Sequence, residues 1–148
     1  MSDSPANPAQ ATQVGPHCFW VEPDSILHIQ LVGDVELAHA KVIAHALTDA
    51  AGNRGVYFLR DARRAGTITR QAREFLVRSL KSGVLIAVVT FGSSFHASVM
   101  ANIIVRGLRV LGQRLPLAVF FDNEAQARAW IAKHRATAAA KSPITPNA

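Results

Sequence analysis
Cysteine is almost missing from this chain: Cys18 is the only one in 148 residues. No disulfide framework and no cysteine-based zinc site can be built from it. The six histidines show no metal-ligand spacing, since His39 and His45 fall on different faces of any helix that carries both. No metal and no other cofactor is therefore expected. Aromatic residues are scarce, at 7%, and are not interleaved with basic ones. With no recognisable nucleic-acid motif either, a nucleic-acid partner is not expected. No apolar window reaches the ~20 residues of a membrane span, because Arg106 and Arg109 interrupt the best one. The opening MSDSPANPAQATQ has neither a basic start nor an apolar run, so a signal peptide is not expected and the default location is the cytoplasm. Acidic residues are the poorer class of charge, 10 against 16 Lys and Arg, which leaves a formal net charge of +6. Much of the excess sits at Arg54, Arg60, Arg63, Arg64, Arg70, Arg73 and Arg78, around one strand end and the helix after it. Such a patch is either solvated charge or an attraction for an anionic partner.

What is present suffices for one domain. A chain of this size buries about two thirds of its unfolded surface and needs no staple to fold. Residues 1–15 are rich in Pro, Ala, Ser and Gln and are expected to be a disordered tail; residues 137–148, with Pro143 and Pro146, are expected to be another. The domain is thus expected over residues 16–136.

Within it, His17–Val21 and Ile26–Val32 read as strands joined by the turn Glu22-Pro23-Asp24-Ser25, an antiparallel hairpin. Leu27, Ile29 and Leu31 alternate with His28 and Gln30, so one face is buried and the other wetter. Glu36–Ala51 reads as a helix with Asp34 as N-cap and Leu37, Ala40, Ile43, Ala44 and Leu47 on its apolar side. Val56–Arg60 is a strand and Asp61–Gly66 a loop. Thr67 or Thr69 caps a helix that runs to about Ser82. Then come VLIAVVTFGSSF, HASVMANIIVRGLRVLG, LPLAVFFD and NEAQARAWIAKH: strand and turn, helix, strand, helix. Both strands are apolar on both faces, the mark of a sheet covered on both sides. The order β-β-α-β-α-β-α-β-α implies a mixed, mostly parallel five-stranded sheet with four helices and right-handed crossovers.

Three segments resemble the STAS superfamily, and more narrowly its SpoIIAA-like group, whose domains also resemble the CRAL-TRIO lipid-binding fold. They are Tyr57-Phe58-Leu59-Arg60-Asp61 leading into Thr69-Arg70-Gln71-Ala72-Arg73; Ile86-Ala87-Val88-Val89 with the apolar helix Val99–Leu111; and Ala118-Val119-Phe120-Phe121 followed by Glu124–Ile131, which ends in an acidic-Ala-x-x-Trp-like helix. The resemblance implies a STAS-like single α/β domain. It also implies a role in binding, in membrane association, or in partner switching like that of anti-sigma-factor antagonists. Phosphorylated members of the superfamily carry a serine at the start of the helix after the third strand, usually preceded by Asp. Here Gly66-Thr67-Ile68-Thr69 stands there with no Asp-Ser pair, so Thr67 and Thr69 are the only hydroxyls for that role. Helix capping accounts for one of them without phosphate.

The carboxyl ends of the strands are where open α/β sheets bind ligands. The residues expected there are Asp61, Arg63, Arg64, Thr67, Ser93, Ser94 and His96. Gly92-Ser93-Ser94-Phe95-His96 could cap a helix or cradle an anion, but it is neither a dinucleotide fingerprint nor a P-loop. Ser94 with His96 raises the alternative of a small hydrolase, although no nucleophile elbow precedes them. The helix over Val99–Leu111 has a narrow polar stripe, and Val99, Met100, Ile103, Ile104 and Leu108 need a second cover. Sheet, neighbouring helix and a partner subunit supply it in one reading. In the other, the helix is a lid or membrane-facing element, with Arg106 and Arg109 on anionic lipid. The expected function is a noncatalytic binding or regulatory module for a small apolar or anionic ligand or a partner protein, forming a homodimer and touching membranes peripherally. The alternative is a partner switch controlled by phosphorylation at Thr67 or Thr69.

Overall fold
The computed structural model describes residues 10–93 and 117–141. Six strands form one sheet in simple sequence order: β1 Thr12–Val14, β2 His17–Glu22, β3 Ile26–Val35, β4 Val56–Ile68, β5 Leu85–Phe91 and β6 Leu117–Phe121. The first two pairings are antiparallel and the last three parallel. Helices α1 Leu37–Ala51 and α2 Arg70–Ser79 link the parallel strands, and α3 Glu124–Lys141 closes the described chain. The mixed, mostly parallel α/β architecture is the one the alternation of elements implies. The expected helix over Val99–Leu111, with the candidate residues Ser94 and His96, lies outside the described residues.

Three details correct the sequence reading. The sheet has six strands rather than five, because Thr12–Val14, assigned to a disordered tail, pairs with β2 and buries Val14 against the core. At the other end α3 continues past Ala136 to Lys141. Asp61–Gly66, read as a loop, is strand: β4 runs on to Ile68 beside a lengthened β3, through register shifts at Gln30/Val32 and Gly33/Val35. Such bulges let a strand keep pairing where local composition is poor in β-formers. Asp34 stabilises this extension. Its Oδ1 accepts hydrogen bonds from the Thr67 backbone N–H (2.8 Å) and from the Thr67 hydroxyl (3.2 Å). Gly66 is required at this crossing, because a Cβ there would collide with the Asp34 carboxylate and the backbone beside it.

Asp34 is therefore not the cap of α1. Glu36 takes that position, and its backbone N–H donates to Nδ1 of His39 at 3.1 Å, a local variant of the reciprocal capping box. Thr69, not Thr67, caps α2, its hydroxyl oxygen accepting the Ala72 N–H at 3.2 Å. The hairpin turn between β2 and β3 holds Asp24 and Ser25 at positive φ, 69° and 60°. Asp is among the residues that tolerate that region best.

Strand alternation divides the core between the two faces of the sheet. Leu27, Ile29 and Phe58 pack under Ile43 and Leu47 of α1 and Ala72 of α2. Tyr57, Leu59, Val89 and Phe91 pack on the other face, against Ala127 and Ile131 of α3. Each fully buried aliphatic or aromatic side chain contributes about 1.5–3 kcal/mol. Both faces therefore stabilise the sheet, and only their polar inserts differ. Among the described residues no helix is long and apolar enough to cross a membrane.

Candidate ligand cleft
In β4 the alternation that sends Tyr57 and Leu59 toward α3 sends Val56 and Phe58 toward α1 and α2. Continuing it by one step places Asp61 on the α3 side and Arg60 on the other. Arg60 lies in register with Thr90 of β5, and its Nε donates to the Thr90 hydroxyl oxygen at 3.0 Å. The two side chains sit in a cleft of about 740 Å³ whose apolar walls include Leu31, Ile43, Phe58, Leu76 and Phe120. Burial pushes the Arg60 pKa down, but guanidinium stays protonated in proteins. Among the described residues Arg60 bonds Thr90 and pairs with no carboxylate. A cation set in an apolar cleft with one neutral partner is poorly compensated, since buried charges normally pair.

The expected ligand residues separate into two groups. Arg63, Thr67 and Ser93 line the cleft. Asp61 and Arg64, with Arg63 between the two, border a smaller hollow of about 170 Å³ next to Gln30 and Val32. Asp61 is buried, but its carboxylate is fully engaged with Arg63. It accepts from the Arg63 backbone N–H (3.1 Å), Nε (3.0 Å) and Nη2 (2.7 Å). Burial alone would raise the Asp61 pKa, and the bonds from Arg63 outweigh it, so the carboxyl ionises below its usual range. Arg63 is largely exposed, at 64%, and its guanidinium lies 5.7 Å from the centre of the Phe91 ring. The arm that carries it crosses Gly92, at φ 78°, where a Cβ would meet Arg63 Cγ. Asp61 and Arg63 thus satisfy one another. Arg64 is exposed on the strand extension. Thr67 is held by Asp34, so a phosphate on its hydroxyl would lie against a carboxylate, which is unfavourable.

The opposite face holds a second, half-buried arginine in a different setting. Arg128 of α3 donates from Nη1 to Glu22 Oε1 (2.7 Å), from Nη2 to Glu22 Oε2 (2.8 Å) and from Nε to Glu124 Oε2 (2.8 Å). Trp20 Nε1 donates to the same Glu22 carboxylate at 3.0 Å, and His28 Nδ1 lies 3.1 Å from it. Burial would raise the Glu22 pKa, but the hydrogen bonds from Arg128, His28 and Trp20 hold it far below the usual carboxylate range. Donating to Glu22 and Glu124 raises the Arg128 pKa against its burial. Arg128 ties α3 to the hairpin as a bidentate fork. His134 sits within α3, where its Nδ1 pairs with the Tyr57 hydroxyl at 2.8 Å and its ring stacks on Trp130. Among the described residues no cluster of His, Cys, Asp or Glu could hold a metal.

Arg60 and Thr90 were missed as a site. The signal was the alternation Val56, Phe58, Arg60, which puts a guanidinium on a core-facing position of a buried strand.

Comparison with known proteins accords with this fold. A family model described as a domain of unknown function (DUF7793) matches residues 19–135. No curated protein shows significant similarity to the chain. Among solved structures, the chain is similar to an uncharacterized protein of the DUF3478 family with a SpoIIAA-like fold from Shewanella loihica PV-4. The TM-score is 0.60 at 15% identity, over 80% of this chain and 96% of that one. It is also similar to the anti-sigma factor antagonist SpoIIAA in its unphosphorylated form, with a TM-score of 0.47 at 13% identity, over 79% of this chain and 96% of that one. The fold is SpoIIAA-like, as the sequence resemblance implies.

Proposed function
The chain belongs to the DUF7793 family, and we propose that it is a noncatalytic binding and regulatory module whose ligand occupies the cleft on the α1/α2 face of the sheet. One observation carries this reading: Arg60 stands in an apolar cleft of about 740 Å³ with Thr90 as its described partner. That volume lies within the roughly 300–1,000 Å³ typical of small-molecule sites, which pair apolar walls with a few placed polar groups. The cleft's chemistry favours binding over catalysis. Its described lining has no histidine, cysteine or carboxylate, and general acid–base catalysis needs a titratable group within reach.

Native mass spectrometry of the purified protein, followed by organic extraction, tests the reading and reports subunit count at the same time. We expect a small molecule bound per chain and recovered in the extract. Protein that carries no adduct, yields no extractable molecule and is not stabilised by any amphiphile or organic anion contradicts it. Detected hydrolase activity that Ser94→Ala with His96→Ala abolishes would move the protein to another class. A gain of phosphate mass on Thr69 after incubation in cell extract would favour the partner-switch alternative.

A further inference from the structure
We infer that the cleft is built for a monocarboxylate with an unbranched apolar tail, its carboxylate on the Arg60 guanidinium and its tail along Leu31, Ile43, Phe58 and Leu76. The inference rests on the cleft being the binding site and names the chemistry that fits it. Arg60 is fixed by two constraints, its place in β4 and the hydrogen bond from Nε to Thr90. That bond uses the Nε donor, and among the described residues the two terminal nitrogens are left to meet an acceptor. Guanidinium and carboxylate are both planar forks, and their paired bonds are among the strongest that side chains make.

Charge decides between a carboxylate and a phosphate head group. The other arginine at the cleft, Arg63, is already neutralised by Asp61 through Nε and Nη2. Among the described lining residues one uncompensated cation remains, so one negative charge brings that lining to neutrality. A dianionic phosphate would leave a buried negative charge with no partner, which low-polarity surroundings penalise. The tail is assigned from the walls. Phe58 belongs to the same core cluster as Leu31 and Ile43, and Leu76 packs against that cluster, so they form a continuous apolar surface leading from the arginine. An alkyl chain laid there removes apolar area from water on both sides.

The test uses the full chain stripped of bound molecules by organic-phase extraction and checked for its native circular dichroism. Sodium laurate, methyl laurate and dodecyl phosphate are titrated below their aggregation thresholds by isothermal calorimetry. Laurate is expected to bind one per chain. It should bind at least about tenfold tighter than the neutral ester and the phosphate, in keeping with a charge-assisted hydrogen-bond pair. Arg60→Gln should reduce laurate affinity by about 10–100-fold and leave the ester's affinity unchanged. Arg60→Lys, which keeps charge without the fork, should fall between. Equal binding of laurate and its ester by the wild-type protein overturns the carboxylate assignment while leaving the cleft a binding site. Tighter binding of dodecyl phosphate overturns the charge argument. If no amphiphile binds and an extracted ligand still binds Arg60→Gln unchanged, both the carboxylate and the cleft are wrong. The wild-type comparison of the three ligands stands even if a variant fails to fold.

Discussion

Arg128 and Arg60 are both held against the same sheet, on opposite faces, and they are treated in opposite ways. Arg128 meets two carboxylates, and its fork is filled by Glu22 while Nε reaches Glu124. Arg60 meets a threonine hydroxyl and no carboxylate among the described residues. In the first arrangement both Glu22 oxygens are bonded, and the network joins a helix to a hairpin. The second is open on the side where a ligand could complete it. A partly buried guanidinium costs free energy either way: Arg128 offsets that cost with carboxylates, and Arg60 has the Thr90 hydroxyl as its described partner. Under the function proposed above, Arg128 serves the fold and Arg60 serves recognition.

The largest effect expected from breaking the contrast is on the closed side. Glu22→Gln takes its principal carboxylate from Arg128, which is about a third exposed and keeps Glu124, and should cost about 1.5–3 kcal/mol, the range for hydrogen bonds to charged groups. Urea unfolding followed by circular dichroism measures this, and a loss below about 1 kcal/mol would show the network to be incidental.

Acid should act on the same side. The folded Glu22 pKa is depressed, so its contribution is complete above the unfolded value of about 4.3 and is lost as pH falls through and below it. His17 acts in the same direction at higher pH. Its Nδ1 accepts the Val32 N–H at 3.0 Å, and its Nε2 donates to the Asp34 carbonyl at 3.0 Å, so both nitrogens are used in the neutral form. Burial, more than any other cause, lowers its pKa. A lowered histidine pKa gives stability that is complete above about 6.5 and declines as pH falls below that value. Urea midpoints should therefore fall from about pH 7 to about pH 5.5, and again to about pH 3.5. Glu22→Gln should shrink the second step, to which Asp61 also contributes, and keep the first. A midpoint that rises on acidification contradicts both assignments.

A smaller effect separates the two threonines. Thr69→Ala removes the cap of α2 and should cost about 1 kcal/mol, read as a lowered Tm. Equal loss in Thr69→Ser would mean that the hydroxyl is not what matters.

Much of this fold is written locally. The alternation in Leu27, Ile29 and Leu31 and the helical spacing of Ala40, Ile43, Ala44 and Leu47 act within a few residues, and both elements form where that spacing puts them. The extension of β4 through Asp61–Gly66 was hidden because its cause is tertiary. Arg63, Arg64, Ala65 and Gly66 have little intrinsic β preference, and it is pairing with β3 and the Asp34 carboxylate that keeps them extended. The Glu22–Arg128 fork was hidden for the same reason, since its partners are 106 positions apart. Asp61, Arg63 and Arg64 looked like a binding cluster because charge near a strand end attracts notice. Spacing alone does not reveal that Asp61 and Arg63 consume one another. Arg60 was legible from its place in the strand, yet it was read as one arginine among many.

The most direct test of the contrast is urea unfolding of ligand-stripped Arg60→Met beside Arg128→Met. Replacing Arg128 strands the buried Glu22 and should cost about 3–5 kcal/mol. Among the described residues, replacing Arg60 strands the Thr90 hydroxyl alone and should leave stability within about 1 kcal/mol of wild type, or raise it. If Arg60→Met lost as much stability as Arg128→Met, the open arginine would be structural after all, and the cleft would lose the residue on which its proposed function depends.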